Sequence, residues 1–84
     1  MKKDLAQLRS GIDAVDRELL RLLNQRAELA NQVGELKRAE GSVVYRPERE
    51  AQVINTLQSQ NPGPLKDRNV TTIWREIMRA PGPC

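Results

Sequence analysis

Leu5, Leu8, Ile12, Val15, Leu19, Leu22, Leu29, Val33 and Leu36 follow one another at alternating steps of three and four, and the one slot that breaks the run holds Arg26. Apolar residues at that period form a single stripe along an α-helix, and such a stripe needs a partner surface. The spacing predicts a helix over about residues 4–40, about 55 Å long at 1.5 Å per residue. A compact globule of this chain length has a radius of gyration of only about 12 Å. The helix therefore cannot fit inside one subunit, and the pattern predicts an assembly. Asp4 stands where an N-cap belongs and Gly41 where the chain would leave the helix. Gly11 and Gly34, within the seam, are expected where a second helix comes close.

Beyond Gly41, Ser42–Tyr45 reads as a short connection. Pro47 occupies a first-turn position, with the acidic Glu48 and Glu50 behind it. Val53, Ile54 and Leu57 then give a second helix its apolar stripe, over about residues 47–60. Asn61-Pro62-Gly63-Pro64 is a strong stop. A third helix is predicted over about residues 65–80, with Val70, Ile73, Trp74, Ile77 and Met78 facing inward. No alternating strand pattern, repeat or low-complexity segment interrupts this order. The expectation is one all-α domain over residues 1–84, with one long helix and two short ones.

Composition narrows the chemistry. Trp74 and Tyr45 are the only aromatic residues, so the core must be aliphatic. The chain has no histidine and one cysteine, Cys84. An intrachain disulfide is impossible, and a transition-metal site or a Ser–His or Cys–His nucleophile is not expected. No metal or other cofactor is predicted. A reducing, cytoplasmic setting is expected, because no apolar run approaches a membrane span or a signal segment. The net charge of +3 suits a small acidic ligand. Nucleic acid is a poor fit, since basic residues are interspersed with acids and almost nothing is available for stacking.

Arg26 is the first candidate for chemistry. A seam arginine commonly snorkels or pairs with a partner carboxylate. Lys37, however, lies eleven residues on, within about 20° of Arg26 and about 16 Å up the same face. Both long side chains could reach one small ligand between them, although a solvated cation near a helix end is the commoner explanation of Lys37 alone. Arg9 is about 42 Å from Lys37 along the axis. One subunit cannot bring Arg9 to that ligand. Two such helices, antiparallel about a point near Leu20, would bring Arg9 of one chain close to residue 31 of the other, between Arg26 and Lys37.

Tyr45-Arg46-Pro47-Glu48-Arg49-Glu50 is the other dense cluster. Its glutamates complement a helix N-terminus, and its Arg46, Arg49 and Glu50 could also cover the same cavity. Gathered cations are costly to bury unless paired. Arg9, Arg26 and Lys37 at one place would call for a ligand with more than one negative charge, such as a dicarboxylate.

Leu8-Arg9, Ile12-Asp13, Asp16, Leu19-Leu20, Leu22-Leu23, Gln25-Arg26, Glu28-Leu29-Ala30, Val33-Gly34, Lys37 and the Arg46–Glu50 run, in this order and spacing, resemble the all-helical chorismate mutases. The resemblance covers residues 5 to about 79 and is nearest to the N-terminal mutase domain of bifunctional chorismate mutase–prephenate dehydratases. It implies a three-helix subunit intertwined with its twin as an antiparallel homodimer with two sites. It also implies rearrangement of chorismate to prephenate, at the branch toward phenylalanine and tyrosine. By similarity, Arg26 and the Arg9 of the other subunit would grip the substrate carboxylates, Lys37 the ether oxygen and Glu50 the ring hydroxyl. Arg49 stands beside them in the family motif.

There are departures from the family pattern. Arg46 stands where some relatives carry an Asp near the substrate hydroxyl, which leaves that contact to Glu50. Ala80-Pro81-Gly82-Pro83-Cys84 replaces a stretch in which the family's third helix continues. There the family supplies a small polar residue, at the place of Pro81, and then a Gln or Glu that assists Lys37. The expectation is intact folding and dimerisation with a more open, weaker site, and no dehydratase domain. Two other readings stay open on sequence: an isochorismate–pyruvate lyase with a similar fold and cationic site, and a non-catalytic helical dimerisation module.

Overall fold

The computed structural model describes residues 3–41 and 46–79. These form three helices, α1 (Leu5–Ala39), α2 (Pro47–Gln60) and α3 (Asp67–Arg79), with no strand among the described residues. The expected connection at Ser42–Tyr45 and the expected altered tail at Ala80–Cys84 lie outside them.

Both ends of α1 are built as the sequence predicts. The Asp4 carboxylate accepts from Gln7 N–H at 2.8 Å, and the Gln7 side chain accepts from Asp4 N–H at 3.0 Å. This reciprocal box satisfies two of the amides that a helix start leaves without partners. Asp4→Ala should therefore fray the first turn and lower stability by about 1 kcal/mol. Faster amide exchange at Gln7, with α2 and α3 unchanged, would register it. At the other end Gly41 adopts φ +74 and donates to Arg38 O at 3.1 Å. That left-handed conformation is the reason a glycine stands there.

Pro47 opens α2 as its first residue. The chain then turns at Gly63, also left-handed at φ +81, with Asn61 bracing the turn through bonds to Gly63 N–H and Leu65 O. This bracing corrects the predicted start of α3. Leu65 belongs to the turn and is solvent-exposed, and the helix begins at Asp67. Asn69 sets that boundary by accepting from Lys66 N–H at 3.0 Å.

The core lies between α2 and α3. Ile54 and Val70 are its buried residues, 9% and 3% exposed, flanked by the part-buried Val53, Leu57, Trp74 and Ile77. Gln58 pins the two helices by donating to Asp67 O at 3.1 Å and to Thr71 Oγ1 at 2.8 Å. Of the residues expected to face inward, Ile73 departs. It remains 41% exposed because nothing among the described residues covers its side of α3.

Helix α1 meets this pair only toward its C-terminal half, where Arg26, Ala27, Ala30, Gly34 and Lys37 become part-buried or buried. Its N-terminal half projects freely, giving extents of 57 × 23 × 16 Å and a radius of gyration of 16.3 Å. All nine apolar seam residues are 46–62% exposed. The glycine expectation is not met within one subunit either. A side chain at Gly11 would meet open space, and one at Gly34 would meet only the flexible end of Arg38, on the same helix.

Candidate active site

Arg26, Ala30, Val33 and Lys37 succeed one another at steps of four, three and four, so α1 presents them along one stripe. That stripe forms one wall of a cavity of about 380 Å³. The first turn of α2 and the residue before it supply Arg46, Arg49 and Glu50, and α3 supplies Met78. The volume lies in the range of small-molecule sites, about 300–1,000 Å³.

Five of the six sequence-predicted site residues therefore meet at one place: Arg26, Lys37, Arg46, Arg49 and Glu50. Arg9 does not. It lies seventeen residues before Arg26 on the same straight helix, about 25 Å away along the axis, and is exposed to solvent.

The cavity sets four cations against one carboxylate, Glu50. Among the described residues, Arg26, Lys37 and Glu50 form no ion pair. Arg26, Lys37 and Glu50 are each partly withdrawn from solvent, and Lys37 stands in the last turn of α1, where the helix carbonyls favour a cation. The other two cations are tethered from outside. Arg46 Nε donates to Glu48 Oε1 at 2.6 Å, and Arg49 Nη1 donates to Gln52 Oε1 at 2.9 Å. The Arg46 side-chain bond, helped by a backbone N–H, holds the Glu48 carboxyl below its ordinary value. The pair is thus intact at neutral pH and opens only as pH falls through that lowered value.

Apolar wall and cation edge come from different parts of the sequence pattern. Val33 belongs both to the exposed seam and to the cavity. Met78 was legible only as an inward-facing residue of α3, and Ala30 only as a member of a motif. The signal that groups Ala30 with the site is its place between Arg26 and Lys37 on one helical stripe. Among the described residues no cluster of His, Cys, Asp and Glu is placed to hold a metal ion. The chemistry this arrangement can perform is that of oriented cations on an anionic molecule.

Comparison with known proteins places the chain in a family. The profile described as "Chorismate mutase type II" matches residues 8–80. The chain is 50% identical over 70 residues to a bifunctional chorismate mutase/prephenate dehydratase of Neisseria gonorrhoeae, a match covering 83% of this chain and 19% of that protein. It is 37% identical over 82 residues to the bifunctional protein of the same name from Aquifex aeolicus, covering 93% of this chain and 23% of the relative. The chain thus spans about a fifth of the length of these bifunctional relatives. Its fold superposes on the structure of chorismate mutase from Thermus thermophilus with a TM-score of 0.91 and 35% identity, covering 95% of this chain and 100% of that one. With nearly its whole length matched by the family profile, and with that fold, the chain belongs to the type II chorismate mutase family.

Proposed function

We infer that the chain rearranges chorismate to prephenate, and that two copies are needed to do so. The observation that carries this reading is the gathering of Arg26, Lys37, Arg46, Arg49 and Glu50 around one small-molecule cavity. The reaction is an intramolecular Claisen rearrangement: the ether C–O bond breaks while a new C–C bond forms, within one molecule and without net proton transfer. No nucleophile or metal is required of the protein. Its task is to hold the reactive conformer and to stabilise the charge that gathers on the ether oxygen.

In this reading Arg26 holds one substrate carboxylate and the Arg9 of a second copy holds the other. Lys37 donates to the ether oxygen, Glu50 accepts from the ring hydroxyl, and Arg46 and Arg49 bound the cavity. The second copy is supported by the exposed seam. Covering the exposed halves of nine aliphatic side chains would contribute about 1 kcal/mol each. Val33 belongs to both seam and cavity, which supports a covering helix lying beside the ligand. An antiparallel, intertwined homodimer then has two equivalent sites. The reaction belongs at the branch toward phenylalanine and tyrosine. Its product is the substrate named for the second activity of the bifunctional relatives, so a prephenate dehydratase is the partner activity. Among the described residues no helix is long and apolar enough to cross a membrane, and we assign the reaction to the cytoplasm.

The experiment is a mixing test. Arg9→Ala and Arg26→Ala should each abolish most chorismate depletion. Refolded together, they should regain about a quarter of wild-type activity, because half of the dimers are mixed and each mixed dimer keeps one intact site. Absence of recovery from a mixture shown to contain mixed dimers would refute the shared site. Pyruvate release from isochorismate, with chorismate untouched, would redirect the reading to a lyase.

A further inference from the structure

Glu48 does not line the cavity, yet it holds a residue that does. The two residues differ in how firmly the backbone anchors them. Glu48 is the second residue of α2, whereas Arg46 precedes the helix, at φ −134 and ψ 88, and makes no side-chain capping bond. An arginine in that position is a long side chain on the least regular part of the site, and its side chain is 49% exposed. Left alone, it would spend much of its time in solvent and lose considerable rotamer freedom on meeting a ligand. The 2.6 Å bond from its Nε to Glu48 Oε1 ties it to the helix instead.

The atom used in that bond matters. A guanidinium has five N–H donors in a planar fork. With Nε occupied by Glu48, the side-on edge formed by Nε and one terminal nitrogen is closed to a carboxylate. The end-on edge, made by the two terminal amino groups, stays open. Glu48 also offsets the charge of Arg46, so this arginine contributes orientation more than attraction. Arg49, tethered by the neutral Gln52, keeps its full charge.

We propose that Glu48 is a positioning residue, which presents the end-on edge of Arg46 to an anionic group of the substrate at the cavity mouth. The proposal rests on the mutase reading above and adds to it a residue that touches no substrate. Its effect falls on binding, since a preset side chain loses less freedom when the ligand arrives.

The test is a double-mutant cycle in steady-state kinetics on the full chain. Glu48→Ala should raise KM for chorismate by about two- to tenfold, with kcat changing little. Glu48→Gln keeps an oxygen acceptor for Nε and should restore KM to near the wild-type value. In an Arg46→Ala background, Glu48→Ala should have no further effect on KM. Equal effects of Glu48→Ala in both backgrounds would mean that the glutamate serves only the N-terminus of α2, and would overturn the proposal. A lower KM in Glu48→Ala would also overturn it, by showing that Glu48 competes with substrate for Arg46. Absence of chorismate turnover by the folded, unsubstituted protein would instead refute the mutase reading, and this proposal with it.

Discussion

Lys37→Met is expected to lower kcat by about 10²–10³, the loss found when one donor to a developing oxyanion is removed. KM should change much less, because the ether oxygen becomes electron-rich only as the C–O bond lengthens. An interaction that strengthens toward the transition state appears in kcat. Methionine keeps the length and apolar stem of the side chain, which is part-buried against the cavity, so packing is conserved while the charge is removed. The substitution falls in the last turn of α1, where a cation also complements the helix carbonyls. A stability loss of about 0.3–1 kcal/mol is therefore expected alongside the kinetic one. Circular dichroism and thermal unfolding separate the two effects. A folded Lys37→Met protein with kcat within tenfold of wild type would remove Lys37 from the ether oxygen.

The parts of this molecule that obey helical periodicity were legible in its sequence. The stripe containing Arg26, Ala30, Val33 and Lys37 follows from 100° per residue, and the boundaries at Asp4, Gly41 and Pro47 follow from cap chemistry. Periodicity starts α3 two residues too early, because the boundary depends on a side chain two residues inside the helix, Asn69, reaching back to Lys66. A propensity reading has no sign of that bond. Ile73 departs from its expected inward position for a related reason. Its place on the apolar stripe of α3 shows which way it faces, but not whether one subunit contains anything on that side. The site was legible in a different way. Spacing groups Arg26 with Lys37, but only the tertiary placement of α2 beside α1 brings Arg46, Arg49 and Glu50 to them. The tether from Glu48 to Arg46 is further from sequence still, since i, i+2 pairs do not face each other on a regular helix. It forms because Arg46 lies outside the helix.

Arg26 decides between the two explanations of the interrupted seam, and Arg26→Leu is the substitution that separates them. Leucine restores the three–four alternation from Leu5 to Leu36. If the seam is covered by a second copy, an added apolar side chain there should raise dimer stability by about 1–2 kcal/mol. The same change removes a cation from the cavity and, in the proposed site, would leave a substrate carboxylate without its partner. Losing one side of a desolvated, hydrogen-bonded charge pair costs about 2–5 kcal/mol. The expected fall in kcat/KM is accordingly about 30- to 5,000-fold. Both parameters should suffer, since the carboxylate contact supplies binding and also holds the reactive conformer. The opposite signs are the diagnostic feature. An arginine retained only for packing or pairing across the interface would give a protein whose activity survives the leucine. An arginine at the site gives a more stable dimer that no longer turns over chorismate. Sedimentation equilibrium or chemical unfolding reads the first quantity, and chorismate depletion reads the second. Gain in the first with loss in the second would show that the chain gives up seam stability at position 26 to place a cation beside its substrate.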